Sequence, residues 1–406
     1  MLRRHKAKLT FTKEMLNLPG PIKTIGMVSF VYTLGWAIVD PFFFIYLKQL
    51  FGDYASVGFL TALVYLLAIV WALPIGQLLN RVSGKLMLAA TLVLYFPMGY
   101  LLITLTTFTQ FVFLKIFNSF TAASVWVSFE DYVREHVDRK RVYEAFGLFD
   151  ALISLAYVIG PILGALLLMR FGFKMFFVIS ITSFIAFLLA LTLKDHKKEN
   201  MFRGIKDTIT KDGFVKKEFK DLWRNKKLVK VELISFLFTF ASTAMIMLVP
   251  LFLNEQKASY LQIGIISALY YLPSMSESYF STLKSKKKLA HTGIIISMLL
   301  LIGMFFISNL YVLFALVLLL SLCMTAVYSV LRGVLSNCMP KKEAGELSGV
   351  DMSIRYTAGG LGLLISGFVA QITGLKSVFI MMAIILSAIL ILSSKKEFKF
   401  CNFSGK

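Results

Sequence analysis

Apolar residues run through this chain in long blocks separated by short polar connections. Twelve blocks approach the roughly 20 apolar residues a helix needs to cross a bilayer. They cover residues 25–46, 57–79, 86–106, 111–129, 146–169 and 175–193, then 231–253, 263–280, 290–307, 310–334, 347–372 and 377–392. Between the sixth and seventh lies a stretch of different character, residues 194–230, with thirteen Lys or Arg against six Asp or Glu. So charged a segment is too costly to leave in lipid, so it reads as a linker. The pattern predicts an all-α integral membrane protein with twelve transmembrane helices in two six-helix bundles. The expected parts are an N-terminal segment 1–24, a first bundle 25–193, a linker 194–230, a second bundle 231–393 and a tail 394–406.

The two halves resemble each other. At an offset of 206, Tyr54, Gly58, Ala62, Leu63, Tyr65 and Leu66 fall on Tyr260, Gly264, Ala268, Leu269, Tyr271 and Leu272. At an offset of 202, Lys140, Gly147, Gly160 and Gly172 fall on Lys342, Gly349, Gly362 and Gly374. Leu and Ala coincide easily in apolar sequence, so the Gly and Tyr matches carry the comparison. Each half has an even number of spans, so both enter the bilayer from the same side. That makes them parallel repeats about an axis along the membrane normal.

Composition agrees with a lipid environment: 58% of the 406 residues are hydrophobic and only 16% charged, where a soluble domain is nearer a quarter. The formal net charge of +21 raises the question of nucleic acid, and its distribution answers it. With connections numbered alternately, all but seven of the 43 Lys and Arg fall on the side that holds both ends and the linker. The exceptions are Lys48, Arg170, Lys174, Lys257 and Lys376 on the other side and Lys115 and Arg355 within spans. Excess Lys and Arg in short loops marks the cytoplasmic face. The expectation is a multi-pass protein of the cell membrane with both termini cytoplasmic, its basic linker facing anionic lipid, and no nucleic-acid partner. The basic start, MLRRHKAK, leads into no short apolar core with a cleavage site, so no cleavable signal peptide is expected. The spacing of Cys323, Cys338 and Cys401 fits no metal template. No phosphate-binding glycine loop, His-Glu-x-x-His or Gly-x-Ser-x-Gly pattern occurs, so neither an enzyme nor a cofactor is expected.

The connection after the second block reads Gly76-Gln77-Leu78-Leu79-Asn80-Arg81-Val82-Ser83-Gly84-Lys85. It resembles the signature loop of the major facilitator superfamily, Gly-x-Leu-x-Asp-Arg-x-Gly-Arg-Arg/Lys. Gly76, Leu78 and Arg81 match in place; Asn80 replaces the acid and Ser83 the second glycine. The twelve spans, basic linker and repeated halves extend the resemblance over the whole chain. The family implies a cytoplasmic latch in which Arg81 or Lys85 meets Asp131 at the inner end of span four. Asn80 brings no charge to the start of span eleven and can only accept a hydrogen bond there. Span five holds Gly160-Pro161-Ile162-Leu163-Gly164, similar to the Gly-Pro-x-x-Gly core found in the proton-coupled drug-export branch; Ala156 and Ala165 stand where that branch often has glycine.

Ionisable groups inside spans are costly and often functional. Asp40 lies in span one, four residues after Trp36. Lys115 lies in span four, three before Asn118, near where export members often carry an Arg. Both charges sit about five residues to the same side of their spans' middles, roughly 7 Å at 1.5 Å per residue, so an ion pair at matching depth is expected. Trp36 and Asn118 would share that cavity. Asp351 and Arg355 are four apart in span eleven and can pair on one helical face. The resemblance implies alternating access around a central cavity, with proton-coupled export of an amphipathic or drug-like solute as the leading expectation. The partners would be that solute, protons and the bilayer, and the protein a monomer. The alternatives are a metabolite uptake transporter, or a transport-inactive membrane protein serving as receptor, assembly factor or lipid-handling protein.

Overall fold

The computed structural model describes residues 18–79, 82–137, 142–194, 226–276, 286–338 and 344–394. Most of the N-terminal segment, nearly all of the linker and the tail therefore lie outside the described residues. What is described is helical, with no strand. In chain order the helices are α1 (Gly20–Phe51), α2 (Tyr54–Leu79), α3 (Gly84–Leu94), α4 (Met98–Thr104), α5 (Phe108–His136), α6 (Val142–Phe171) and α7 (Val178–Leu191). After the linker come α8 (Lys226–Glu255), α9 (Tyr260–Tyr271), α10 (Lys286–Phe306), α11 (Leu310–Cys338), α12 (Ala344–Thr373) and α13 (Leu375–Ser394).

Among the described residues, ten stretches are long and apolar enough to span a membrane. They account for eleven of the twelve expected spans, because Ala145–Leu191 counts as one stretch yet bends at Gly172 into α6 and α7. The twelfth, span eight, is α9 with the 3-10 turn Leu272–Ser276, whose continuation lies outside the described residues. Span three is not the continuous helix its apolar run predicts. It breaks at Tyr95-Phe96-Pro97 into α3 and α4. Proline has no N–H for the helical ladder, and the Tyr95 N–H closes the last turn of α3 on Thr91 and Leu92 at 3.2 Å each.

The packing repeats as the sequence does. Gly172 and Gly374, matched at offset 202, both have positive φ (58° and 88°) and make the sharp turns that lead to α7 and α13. Such a conformation costs an L side chain roughly 1–2 kcal/mol, which is why glycine stands at both. Gly160 and Gly362 also correspond. A Cβ on Gly160 would lie 2.5 Å from the Ala37 Cβ and 2.7 Å from its carbonyl carbon, so α6 touches the backbone of α1 there. A Cβ on Gly362 would run into the Phe240 carbonyl oxygen, so α12 touches the backbone of α8. Asp53 and Ser259, matched at offset 206, each cap the helix that follows. The Ser56 N–H donates to Asp53 Oδ1 at 2.6 Å and the Gln262 N–H to Ser259 Oγ at 3.3 Å.

Two compact units form. One holds residues 1–40 and 70–211, the other 41–69 and 212–406, so the division falls inside α1 and α2. In the second unit, α2 meets α12 backbone to backbone: a Cβ on Gly58 would lie 2.6 Å from the Leu363 carbonyl oxygen and 2.9 Å from the Gly367 Cα. Large apolar side chains on the outside stay exposed, including Phe113, Phe306, Tyr311, Ile372 and Ile391, as a lipid-facing surface requires.

Candidate functional site

In the first unit, the break in span three puts Tyr95 fully inside. Its hydroxyl donates to Asn118 Oδ1 at 3.1 Å and accepts from the Tyr32 hydroxyl at 2.8 Å. α1 thus reaches α5 through the tyrosine at the break after α3. Trp36 sets its ring edge against Tyr95, at 6.1 Å between centroids and 77° between planes. Around this relay stand the charges. Lys115 is only 3% exposed, Asp40 is half-buried, and the two act on each other electrostatically. Asp40 also acts on Tyr95. The site therefore gathers Asp40, Lys115, Trp36 and Asn118, with Tyr32 and Tyr95 added. Neither tyrosine stands out in sequence, because an aromatic inside a span reads as packing. Trp126 is packing: its ring meets Tyr32, Phe129 and Phe149 edge-on.

The span-five motif holds this site from behind. Pro161 lies inside α6, and both it and Gly164 are buried. Gly160 seats α6 on Ala37 and Ile38, within one turn of Asp40. Gly160 lets α6 and α1 approach backbone to backbone about one turn before Asp40.

Of the signature loop, Asn80 and Arg81 lie outside the described residues. Gly76 lies near the end of α2 in open space, with nothing within 4 Å of an added Cβ. Ser83, in place of the family's glycine, caps α3: its Oγ accepts from the Leu86 N–H at 3.4 Å. A Cβ on Gly84 would lie 3.4 Å from Asp131 Oδ2, so the first turn of α3 abuts that carboxylate. A carboxylate there meets the positive end of the helix. Lys85 is half-buried one residue on. Glu130 serves another pair, with Arg134 at 3.1 Å.

In the second unit, Arg355 Nη2 holds Asp351 Oδ2 at 2.8 Å, four residues apart on α12. Its Nη1 donates to the Tyr328 hydroxyl of α11 at 3.2 Å. Arg332 lies over the Tyr328 ring at 6.0 Å. Sequence reading missed a fifth member, Glu232 of α8, which is 4% exposed and within electrostatic reach of Asp351 and Arg355. Its only signal was an acid among the lysines that begin span seven.

Such a protein is a multi-pass helical membrane protein with charged and hydrogen-bonding groups enclosed among its spans. The family model of the Major Facilitator Superfamily matches residues 25–287 and 233–396, and the chain belongs to that superfamily. An uncharacterized MFS-type transporter of Methanocaldococcus jannaschii is 24% identical over 151 residues, 37% of this chain and 39% of that protein, so the chain spans well under half the length of this curated relative. Three solved structures share the fold. A point mutant of the nucleoside transporter NupG gives a TM-score of 0.75 at 14% identity, covering 92% of this chain and 98% of that one. A bacterial homolog of the human lysosomal transporter Spinster, inward-facing and occupied, gives 0.73 at 12%, covering 91% and 95%. The human organic anion transporter MFSD10 gives 0.67 at 15%, covering 92% and 99%.

Proposed function

We propose that the protein is a secondary active transporter that moves a small solute by alternating access, exporting an amphipathic or drug-like compound against protons at the cell membrane, with both termini cytoplasmic. One observation carries the reading: the buried Lys115 and the Asp40 carboxylate feel each other inside a helical membrane bundle that also encloses the Tyr32–Tyr95–Asn118 hydrogen bonds. A static protein would fill that place more cheaply with apolar side chains. Protonating Asp40 releases Lys115 toward an anionic or polar group of the solute and alters the polar lining in one step. The solute class rests on the aromatic surroundings and on the span-five motif. Asp131 with Lys85 or Arg81 forms the latch on the linker side. Two six-helix repeats, 25–193 and 231–393, move about the cavity.

Proteoliposome flux with a panel of solutes, with and without a pH gradient, tests this. Asp40→Asn is expected to abolish gradient-driven flux and leave solute exchange intact. Native-rate proton-driven transport in that variant would rule the mechanism out.

A further inference from the structure

The Asp40 site leaves unused a second buried acid, in a different unit of the molecule. Glu232 has two side-chain oxygens with no hydrogen-bond partner and is 4% exposed. Close by, Asp351 Oδ1 and Arg355 Nε are buried without partners too. A buried carboxylate that accepts no hydrogen bond forfeits its hydration with nothing in return. Here it would also face a second carboxylate, since the Asp351 charge acts on Glu232. Arg355, the cation in reach, is already engaged by Asp351 and Tyr328.

Among the described residues, the surroundings supply no substitute. From α12 come Asp351 and Arg355, and from α11 Tyr328 and Arg332, the latter acting on Asp351 and Arg355. The Tyr270 hydroxyl of α9 is on the Ser242 carbonyl, ten residues further along α8. α10 meets this end through Ala290, beside Leu228 and Val231, and its His291 is engaged by Ser393 of α13. On α8 itself, Lys226 and Lys230 precede Glu232. Among the described residues, no three His, Cys, Asp or Glu side chains come together to hold a metal.

We propose that Glu232 is a proton-binding site, neutral in this arrangement, and that its ionisation moves Arg355 from Asp351 to Glu232. The step is a plain acid–base exchange: the carboxyl O–H breaks, the proton leaves to water, and the guanidinium stays charged throughout. Its mechanical effect follows from which helices are tied. The Arg355–Asp351 pair lies within α12 and holds nothing to α8. Once on Glu232, Arg355 joins α8 to α12 at the end nearest the linker, and Asp351 turns toward Arg332. As part of a transport cycle this rests on the reading above; as proton binding it stands alone.

The test uses the purified full-length protein without solute. Infrared difference spectra between neutral and alkaline pH should show a protonated-carboxyl band that disappears on alkalinisation. The band should be absent in Glu232→Gln and retained in Asp40→Asn. Spin labels at Leu233 of α8 and Met352 of α12 should draw together as the band disappears, and Glu232→Gln should abolish that pH response. Glu232→Asp, which keeps the acid, should retain a shifted response and guards against a folding artefact. A band unchanged in Glu232→Gln, or a Glu232 ionised at every pH where the protein is folded, would overturn the assignment. Failure of proton-driven flux with these spectra intact would sink the transport reading and leave the proton site standing.

Discussion

At the scale of single residues, the glycines divide into those that hold helices together and those that only fill a position. Gly160→Ala puts a carbon 2.5 Å from the Ala37 Cβ, so α6 must back away from α1. Overpacking of this kind costs about 1–3 kcal/mol. Gly303, inside α10 with nothing within 4 Å of an added Cβ, should accept Ala with a gain of up to about 1 kcal/mol in helix propensity. Thermal unfolding of the two purified variants checks the contrast; equal midpoints would refute it. For the charges, Lys115→Ala is expected to destabilise more than the Asp40→Asn, Lys115→Ala double variant, because alone it strands a carboxylate at a cost of about 3–5 kcal/mol. Some of this was legible beforehand. The Asp351–Arg355 pair follows from a spacing of four on a helix, and Asp40 and Lys115 stood out as charges inside apolar runs. Glu232 did not, because an acid a few residues into a basic helix start reads as a solvated end. Only the packing of α8 on α12 shows it buried.

At the scale of elements, the turn between α1 and α2 is tied to the far ends of α8 and α12. The Tyr54 hydroxyl bonds the Glu255 carboxylate, the Tyr54 N–H donates to Gln371 Oε1 at 2.8 Å, and Lys48 sits over the Tyr54 ring at 3.8 Å. Each exposed bond is worth about 0.5–1.5 kcal/mol. Tyr54→Phe together with Glu255→Gln removes the hydroxyl–carboxylate bond and should therefore shift the population toward separated ends of α2 and α8 by about two- to tenfold. Spin-label distances across that junction measure it, and a distribution identical to wild type would count against the tie. In the first unit, Asp131→Asn should loosen the meeting of α5 with α3 by about 1 kcal/mol, read as a wider distance between labels on those helices. Helix existence and order were legible in the apolar runs. The break at Tyr95 was not, although Pro97 was in plain view, because hydropathy counts residues without asking whether the ladder closes.

For the whole molecule, the distribution of Lys and Arg sets the expected orientation. Cysteines placed at Lys257 and Lys376 should react with an impermeant reagent added outside sealed cells, and one at Lys216 should not. Labelling at 216 would refute twelve spans with an internal linker. The fold class was legible at this scale, since twelve runs, a charged divider and matched glycines leave little else. The compact units were not. Which stretch of a long helix packs with which partners depends on tertiary contacts, and these divide α1 and α2 at residues 40–41 and 69–70, where the sequence shows no seam.

The contact of Gly58 with Gly367 has a pharmacological consequence. Two bare backbones in contact have no interlocking side chains to withdraw at that level, whereas Tyr65 and Leu66 pack on Gly359 and Gly360 further along, and the polar ties of Tyr54 to Gln371 and Glu255 close the other end of the contact. A small molecule or antibody loop that bridges Tyr54 and Gln371 would hold α2 against α12 from that end. If the proposed transport requires α2 and α12 to part, such inhibition would be noncompetitive and indifferent to solute concentration.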